Sequence, residues 1–241
     1  MGEKKILIFG GSGSIGLSIA KEVIKLGYKP HLIGRNYSTL NTASNELNCE
    51  FTIADVTKSK ELENAIQKCG ENIYGLAYCV GSITLKPISS AHENDYIDSF
   101  KTNTLGAIIS VKVAAEVLNK NKGSIIFFST IAVKQGFINH SIVSTAKGGI
   151  EALTVSLAAE FAPNIKVNCI APSITESNMS KSIISNENIK KAIESLHPIP
   201  KIGEADDHSK LAAFLLSESN SWITGQVFHI DGGRSTVRKK G

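Results

Sequence analysis

Ile6-Leu7-Ile8-Phe9-Gly10-Gly11-Ser12-Gly13-Ser14-Ile15-Gly16 is the stretch on which the fold turns. Its first four residues are uninterruptedly apolar, the mark of a strand buried on both faces. From Ser14 onward, Ile15, Ile19, Ala20, Val23 and Ile24 recur at helical spacing until Gly27 stops them. The glycines therefore lie in a turn between a strand and a helix. Such a turn lets backbone N–H groups approach a phosphate, and the helix N-terminus adds favourable positive potential. A glycine pattern of this kind is common by chance; its strand–turn–helix context gives it weight. It predicts nucleotide binding at Gly10, Ser12, Gly13, Ser14, Ile15 and Gly16.

Working outward, short apolar runs at 31–33, 50–53, 75–80, 124–128, 165–170 and 226–230 read as strands. Amphipathic stretches at 38–47, 60–69, 102–119, 141–161 and 205–216 read as helices between them. Strands alternating with helices argue right-handed βαβ units, a parallel sheet and helices on both faces. The expectation is one doubly wound α/β domain of Rossmann type over residues 1–241, with about seven strands. Residues 173–200 are rich in Ser, Asn and Lys and interrupt the rhythm, as an excursion over the surface would. The 102–119 helix carries few charges and is apolar on more than one face, which predicts burial by the sheet and by a second subunit.

Composition narrows the function. With 42% hydrophobic and 20% charged residues in 241, the chain is neither disordered nor, lacking any apolar run near 20 residues, membrane-spanning. A net charge of +4, spread along the chain, does not point to nucleic acid, and Arg238-Lys239-Lys240 reads as a solvated tail. Cys49, Cys69, Cys79 and Cys169 lie far apart, as reduced thiols in a cytoplasmic protein do, and show no metal-ligand spacing. Met1-Gly2-Glu3-Lys4-Lys5 precedes only four apolar residues, so no signal peptide is expected, and Ile6 spoils a myristoylation pattern.

Arginine is scarce: Arg35, Arg234 and Arg238 are all of it. Arg35 follows the second strand, where a carboxylate would bind the 2′-hydroxyl of NAD. A cation there suits the 2′-phosphate of NADP, so NADP(H) is expected over NAD(H). Asp55, after the third strand, reads either as an acceptor for the adenine amino group or as a helix-start acid.

The ordered landmarks resemble the short-chain dehydrogenase/reductase superfamily over nearly the whole chain. The family's Thr-Gly-x-x-x-Gly-x-Gly is matched at Gly10 and Gly16, with Phe9 for threonine and Ser14 for the middle glycine; Gly13 restores a Gly-x-x-Gly-x-x-Gly spacing. Asn-Asn-Ala-Gly becomes Tyr78-Cys79-Val80-Gly81, and Asn103 matches the active-site asparagine. Val167-Asn168-Cys169-Ile170-Ala171-Pro172-Ser173 resembles the Val-Asn-x-Ile-x-Pro-Gly motif beside the nicotinamide, while Trp222-Ile223-Thr224-Gly225-Gln226 and Asp231-Gly232-Gly233 resemble the last strand and its turn. The resemblance implies further cofactor contacts at Val56, Gly81, Lys147, Pro172, Ser173, Thr175 and Ser177. It also implies a small-molecule substrate, a lid over 173–200 and a homotetramer.

The family's catalytic Tyr-x-x-x-Lys reads here Val143-Ser144-Thr145-Ala146-Lys147. Thr130 falls at the site of the family's serine, so Asn103, Thr130 and Lys147 are the catalytic candidates and the tyrosine is missing. Residues 143 and 147 stack on one helix face; valine there has no proton to exchange. A general acid contributes ~10²–10⁴-fold. His140 is the candidate stand-in, since imidazole titrates near neutrality; the alternative reading is a loop or cap histidine. Lys147 acting directly or through water is another stand-in. Ser144, Tyr78 and Cys79 read as structural. The functional expectation is an NADP(H)-dependent oxidoreductase of a carbonyl or alcohol with an altered proton relay. Its alternatives are a catalytically impaired NADP(H)-binding sensor or partner-supporting module and, more weakly, a lyase or isomerase using the same pocket.

Overall fold

Side chains alternate across a strand, and the apolar run at the start of the chain accordingly serves two cores at once. In the computed structural model, which describes residues 3–238, Leu7 and Phe9 of β1 (Lys5–Phe9) point to one side of the sheet and Ile6 and Ile8 to the other, all without exposure. The expectations placed on Met1, Gly2, Lys239 and Lys240 fall outside the described residues.

After β1 come α1 (Ser14–Lys25), β2 (Lys29–Gly34), α2 (Tyr37–Leu47), β3 (Glu50–Ile53), α3 (Ser59–Lys68) and β4 (Ile73–Tyr78). There follow α4 (Glu93–Phe100), a π-helical turn (Lys101–Leu105), α5 (Gly106–Lys120), β5 (Ser124–Phe128) and α6 (Ser141–Phe161). The chain continues through β6 (Lys166–Pro172), α7 (Glu187–Ser195), α8 (Ala205–Leu216) and β7 (Val227–Ile230). All seven strands pair in parallel in the order β3-β2-β1-β4-β5-β6-β7. Helices α3, α5 and α6 cover one face through Leu62, Val111, Leu118 and Ile150; α1, α2 and α8 cover the other through Ile19, Leu40 and Leu216. The doubly wound α/β expectation holds.

The winding reverses between β1 and β4, and a crevice opens there beyond the carboxyl ends of the strands. Among the described residues, no helix is long and apolar enough to cross a membrane.

Three readings need correction. The stretch at 81–101, which the sequence pattern leaves without an element, is not all loop: α4 begins at Glu93, where the Asp95 carboxylate accepts the His92 amide at 2.9 Å and pairs with Lys86 at 2.8 Å. Its apolar Ile97 and Phe100 stay partly exposed, so no clean apolar stripe marks it. Strand β4 also begins at Ile73 and β6 runs on to Pro172. Finally, 173–200 contains α7 and is fastened to the body. Ser173 donates to His197 Nε2 at 2.8 Å, the Ile199 amide donates to the Gly232 carbonyl at 3.0 Å, and Thr175 bridges to Gly203.

Candidate active site

The crevice is a cleft of about 460 Å³. Its β1 end is built of main chain. Gly10 sits at φ +74°, a left-handed conformation that favours glycine. A side chain on Gly16 would strike the Gly10 carbonyl, so the loop closes against the helix only with glycine there. Helix α1 starts at Ser14 with no side-chain cap and no acid in its first turn. The amides of Ser14, Ile15 and Gly16 precede the first intrahelical bonds and are left for a ligand. Gly10, Gly13, Ser14, Ile15 and Gly16 all line the cleft.

Four other nucleotide candidates lie outside that lining. The Ser12 hydroxyl is 3.1 Å from that of Thr39 on an exposed shoulder. Arg35 is exposed after β2, close enough to Asp55 for its charge to favour the carboxylate. The Asp55 carboxylate itself accepts the Thr57 amide at 2.9 Å and hydroxyl at 2.7 Å, and so braces the turn into α3. Val56 is buried in the core against Gly106, leaving only its main chain for a ligand.

Further along, β4, the π turn and α6 converge on Gly81. A methyl group built there would lie 3.0 Å from Asn103 Oδ1 and 3.3 Å from Lys147 Nζ. Asn103 is fully buried, its amide held by Ser99 and Ser82 and its Oδ1 accepting the Ser82 amide at 3.2 Å. Thr104 ties the π turn to α6, donating to the Ala146 carbonyl at 2.6 Å. Lys147 donates to the Phe128 carbonyl at 2.8 Å, and burial pulls its pKa down to about 8.

Thr130 and His140 stand on the same wall, with Val143, which is 4% exposed, one turn before Lys147 on α6. Thr130 Oγ1 accepts the Ala132 amide at 3.3 Å, which leaves the hydroxyl proton free to donate. His140 is the N-cap residue of α6. Its Nδ1 donates to the Ile138 carbonyl at 2.7 Å, which leaves Nε2 as the ring nitrogen available to other groups. Tyr78 is not at the cleft: its hydroxyl donates to the Thr102 carbonyl at 2.7 Å inside the core. Ser144 donates to the Ala132 carbonyl at 2.9 Å, and burial pushes the Cys79 thiol up to about 12. Tyr78 and Ser144 thus spend their hydroxyls on main-chain carbonyls, while Cys79 lines the cleft.

The third wall follows β6. Pro172, Ser173, Thr175 and Ser177 all line it. The Thr175 hydroxyl donates to the Ser173 carbonyl at 3.1 Å and sits 2.8 Å from His208 Nε2. Burial pulls the His208 pKa down to about 4. Ser177 and Ser180 bond one another in a tight turn. Ile83, Leu85, Met179 and Ile193 make the outer rim apolar. Sequence reasoning missed two residues here, Phe137 and Arg234, whose guanidinium lies 4.7 Å over the Phe137 ring. The signal available was Arg234's rarity and its place directly after Asp231-Gly232-Gly233.

A wound parallel sheet with a glycine loop at its reversal, and a buried lysine beside an asparagine further along one cleft, defines a dinucleotide-binding protein of Rossmann class. The chain matches the enoyl-(acyl carrier protein) reductase family model over residues 10–235 and belongs to the short-chain dehydrogenase/reductase superfamily. It is 31% identical to a tropinone reductase homologue of Arabidopsis thaliana over 241 residues, 95% of this chain and 91% of that one. It is 27% identical to a 3-oxoacyl-[acyl-carrier-protein] reductase of Bos taurus, covering 96% and 98%. Among solved structures, ElxO with NADP bound superposes with a TM-score of 0.90 at 30% identity, over 97% of this chain and 99% of that one.

Proposed function

We propose that the protein is an NADP(H)-dependent oxidoreductase that interconverts a carbonyl and an alcohol through an altered proton relay. The observation that carries this reading is the meeting of Lys147 Nζ and Asn103 Oδ1 around Gly81, in the cleft that begins at the glycine loop. The dinucleotide fits the residues present. The uncapped start of α1 suits its pyrophosphate, and the space that Gly81 leaves open suits the ribose and nicotinamide. Arg35 would hold the 2′-phosphate, and Asp55, the Val56 main chain and Ser12 would hold the adenosine. Pro172, Ser173, Thr175 and Ser177 would hold the nicotinamide end. NADP bound to ElxO supports the cofactor class.

A nicotinamide bound there supplies the two electrons as hydride at its C4. The chain's own part is to hold the substrate and move one proton to the carbonyl oxygen in reduction, or from the hydroxyl in oxidation. The Thr130 hydroxyl donates a hydrogen bond to the carbonyl oxygen and orients it, keeping its own proton. Asn103 braces the wall, and Lys147 holds the ribose and lowers the cost of negative charge at the oxygen. Val143 stands where the family's tyrosine is expected and cannot donate. His140 Nε2, in the same wall, exchanges the proton instead, with Lys147 through water as the other route.

The buried Val143 also favours a second reading, an NADP(H)-binding sensor or partner-supporting module without turnover. Mixing the protein with NADPH and a broad carbonyl panel separates the two: turnover upholds the reductase, and tight cofactor binding without turnover upholds the module. We also infer a lid at 173–200 and a homotetramer. Exposed Phe100, Leu105 and Val155 near the α4–α6 surface support association, as does Trp222, which is 95% exposed before β7. A monomeric mass by light scattering at micromolar concentration would contradict it. Four free cysteines support a cytoplasmic setting.

A further inference from the structure

The outer end of the cleft holds a cation that no part of the proposed chemistry uses. Gly232 and Gly233, at φ +61° and +85°, turn the chain after β7 back over the cleft and deliver Arg234 to its wall. The guanidinium lies on one side of the Phe137 ring, and the His140 ring packs against Phe137 at 5.2 Å. This stack leads from the outer rim to the candidate proton donor. Among the described residues, the Arg234 side chain has no hydrogen-bond or salt-bridge partner. The adjacent Asp231 carboxylate is already engaged, accepting the Gly233 amide at 2.9 Å and the Ser235 amide at 2.8 Å. Among the described residues that line the cleft there is no aspartate or glutamate. Burial holds the guanidinium below its ordinary pKa, with Asp231 opposing the shift.

A half-buried guanidinium with five free donors beside an apolar wall is a site for a planar anion. We propose that Arg234 binds a carboxylate on the substrate, so that the substrate class is an oxo or hydroxy acid with an apolar middle. The apolar middle follows from Ile83, Leu85, Met179 and Ile193 around it. One guanidinium balances one negative charge, which favours a carboxylate over a phosphate dianion in so apolar a surrounding. The cofactor's phosphates are not its partner, because the glycine loop lies at β1, and Arg234 stacks on the loop after β5, two strands away along the sheet.

The inference rests on the reductase reading, and its test keeps the two apart. Levulinate and its longer oxo-acid homologues, each beside its methyl ester, are assayed with NADPH in wild type, Arg234→Gln and Arg234→Lys. NADPH affinity, read by cofactor fluorescence, serves as the check on folding. The wild type should prefer acid to ester at least tenfold in kcat/KM. The ratio should fall to near one in Arg234→Gln, through KM, and to an intermediate value in Arg234→Lys. An acid-to-ester ratio that is near one in wild type, or unmoved by Arg234→Gln, overturns the inference and leaves the reductase reading intact. So does a loss of NADPH affinity that matches the loss on acids, and so does a stronger Arg234-dependent preference for dihydroxyacetone phosphate. If nothing is turned over, calorimetry of the oxo acids against the NADPH complex decides. Binding that Arg234→Gln abolishes upholds the anion site while the reductase reading fails, and an absence of binding overturns the site.

Discussion

At the β1 end of the cleft the walls are main chain: Gly10 in a left-handed turn, Gly16 packed on the Gly10 carbonyl, and the uncapped amides of α1. At the β7 end they are side chains brought from distant segments: Phe137 and His140 before α6, Met179 and Ile193 from residues 173–200, and Arg234 after the last strand. Main-chain recognition tolerates few substitutions and leaves a local signature. Recognition by assembled side chains can drift one residue at a time while the frame stands. On the proposed reading Val143 is such a drift, placed between two ends that obey different rules.

The largest expected effect tests whether that drift is confined to a single position. Val143→Tyr should raise reduction of simple activated ketones by ~10² to ~10⁴-fold if the surrounding wall keeps its shape, measured as kcat/KM with NADPH. The new ring could itself cost about 1–3 kcal/mol through overpacking. A fall in activity would mean the wall has been rebuilt around valine, and the side-chain end then differs throughout. His140→Ala should cut turnover at least tenfold and leave NADPH affinity nearly unchanged if the histidine is the relay.

The main-chain end is broken by one methyl group. Gly16→Ala drives a Cβ onto the Gly10 carbonyl, so the loop must open. NADPH affinity should fall by roughly a hundredfold or more, about 3 kcal/mol. Fluorescence titration reads this, with circular dichroism to confirm the fold. A variant that binds as tightly as wild type would show that the loop amides are not the phosphate site.

Lys147 sharpens the comparison through pH. Its pKa is about 8 in the fold against 10.5 when exposed, because burial disfavours the ammonium. Between those values the unfolded chain holds more protons, so stability rises with pH across that window. Below pH 8 the whole penalty, roughly 3 kcal/mol at ~1.4 kcal/mol per unit, stands against the fold. Lys147→Met removes it, so urea melts should show wild type gaining on the variant by about that amount from pH 8 to 10.5. Parallel curves would mean the amine is solvated, and the proposed reaction centre would lose its distinctive electrostatics.

The smallest effect belongs to Arg35. Because the side chain is exposed, solvent and salt weaken its pairing, and Arg35→Ala should cost about tenfold in NADPH affinity, ~1.4 kcal/mol. NADH affinity should not move. Equal affinity of the wild type for both dinucleotides would remove the basis for NADP(H) preference.

The same contrast explains what was legible in the sequence. The bounds of β5, α6 and α8 could be read residue for residue, since each has an apolar pattern cut off by glycine, proline or polar residues. The glycine loop was legible because its physics is local: a strand, a turn and a helix start within a dozen residues. Helix α4 was not, because Ile97 and Phe100 face outward and leave no stripe. Arg234 was not, because a guanidinium becomes a site only when folding brings Phe137 beneath it. Asn103 and Lys147 were placed by resemblance. Their meeting at Gly81 comes from three separate elements, and no spacing along the chain encodes it.

The π turn at Lys101–Leu105 has a consequence for insertions and deletions. Such a turn holds one residue more than an ordinary helical turn, and here the Thr102 carbonyl is served by Tyr78 while Asn103 is turned inward to Ser82 and Ser99. The wider turn absorbs that residue, so α4 and α5 keep nearly the phase they would have in an unbroken helix. Deleting Thr102 would leave a regular helix with better internal bonding and both flanks nearly in place, but would remove the widened turn itself. Asn103 would leave the wall, and the Tyr78 hydroxyl would lose its acceptor. At this place in the chain, the more regular helix makes the poorer protein.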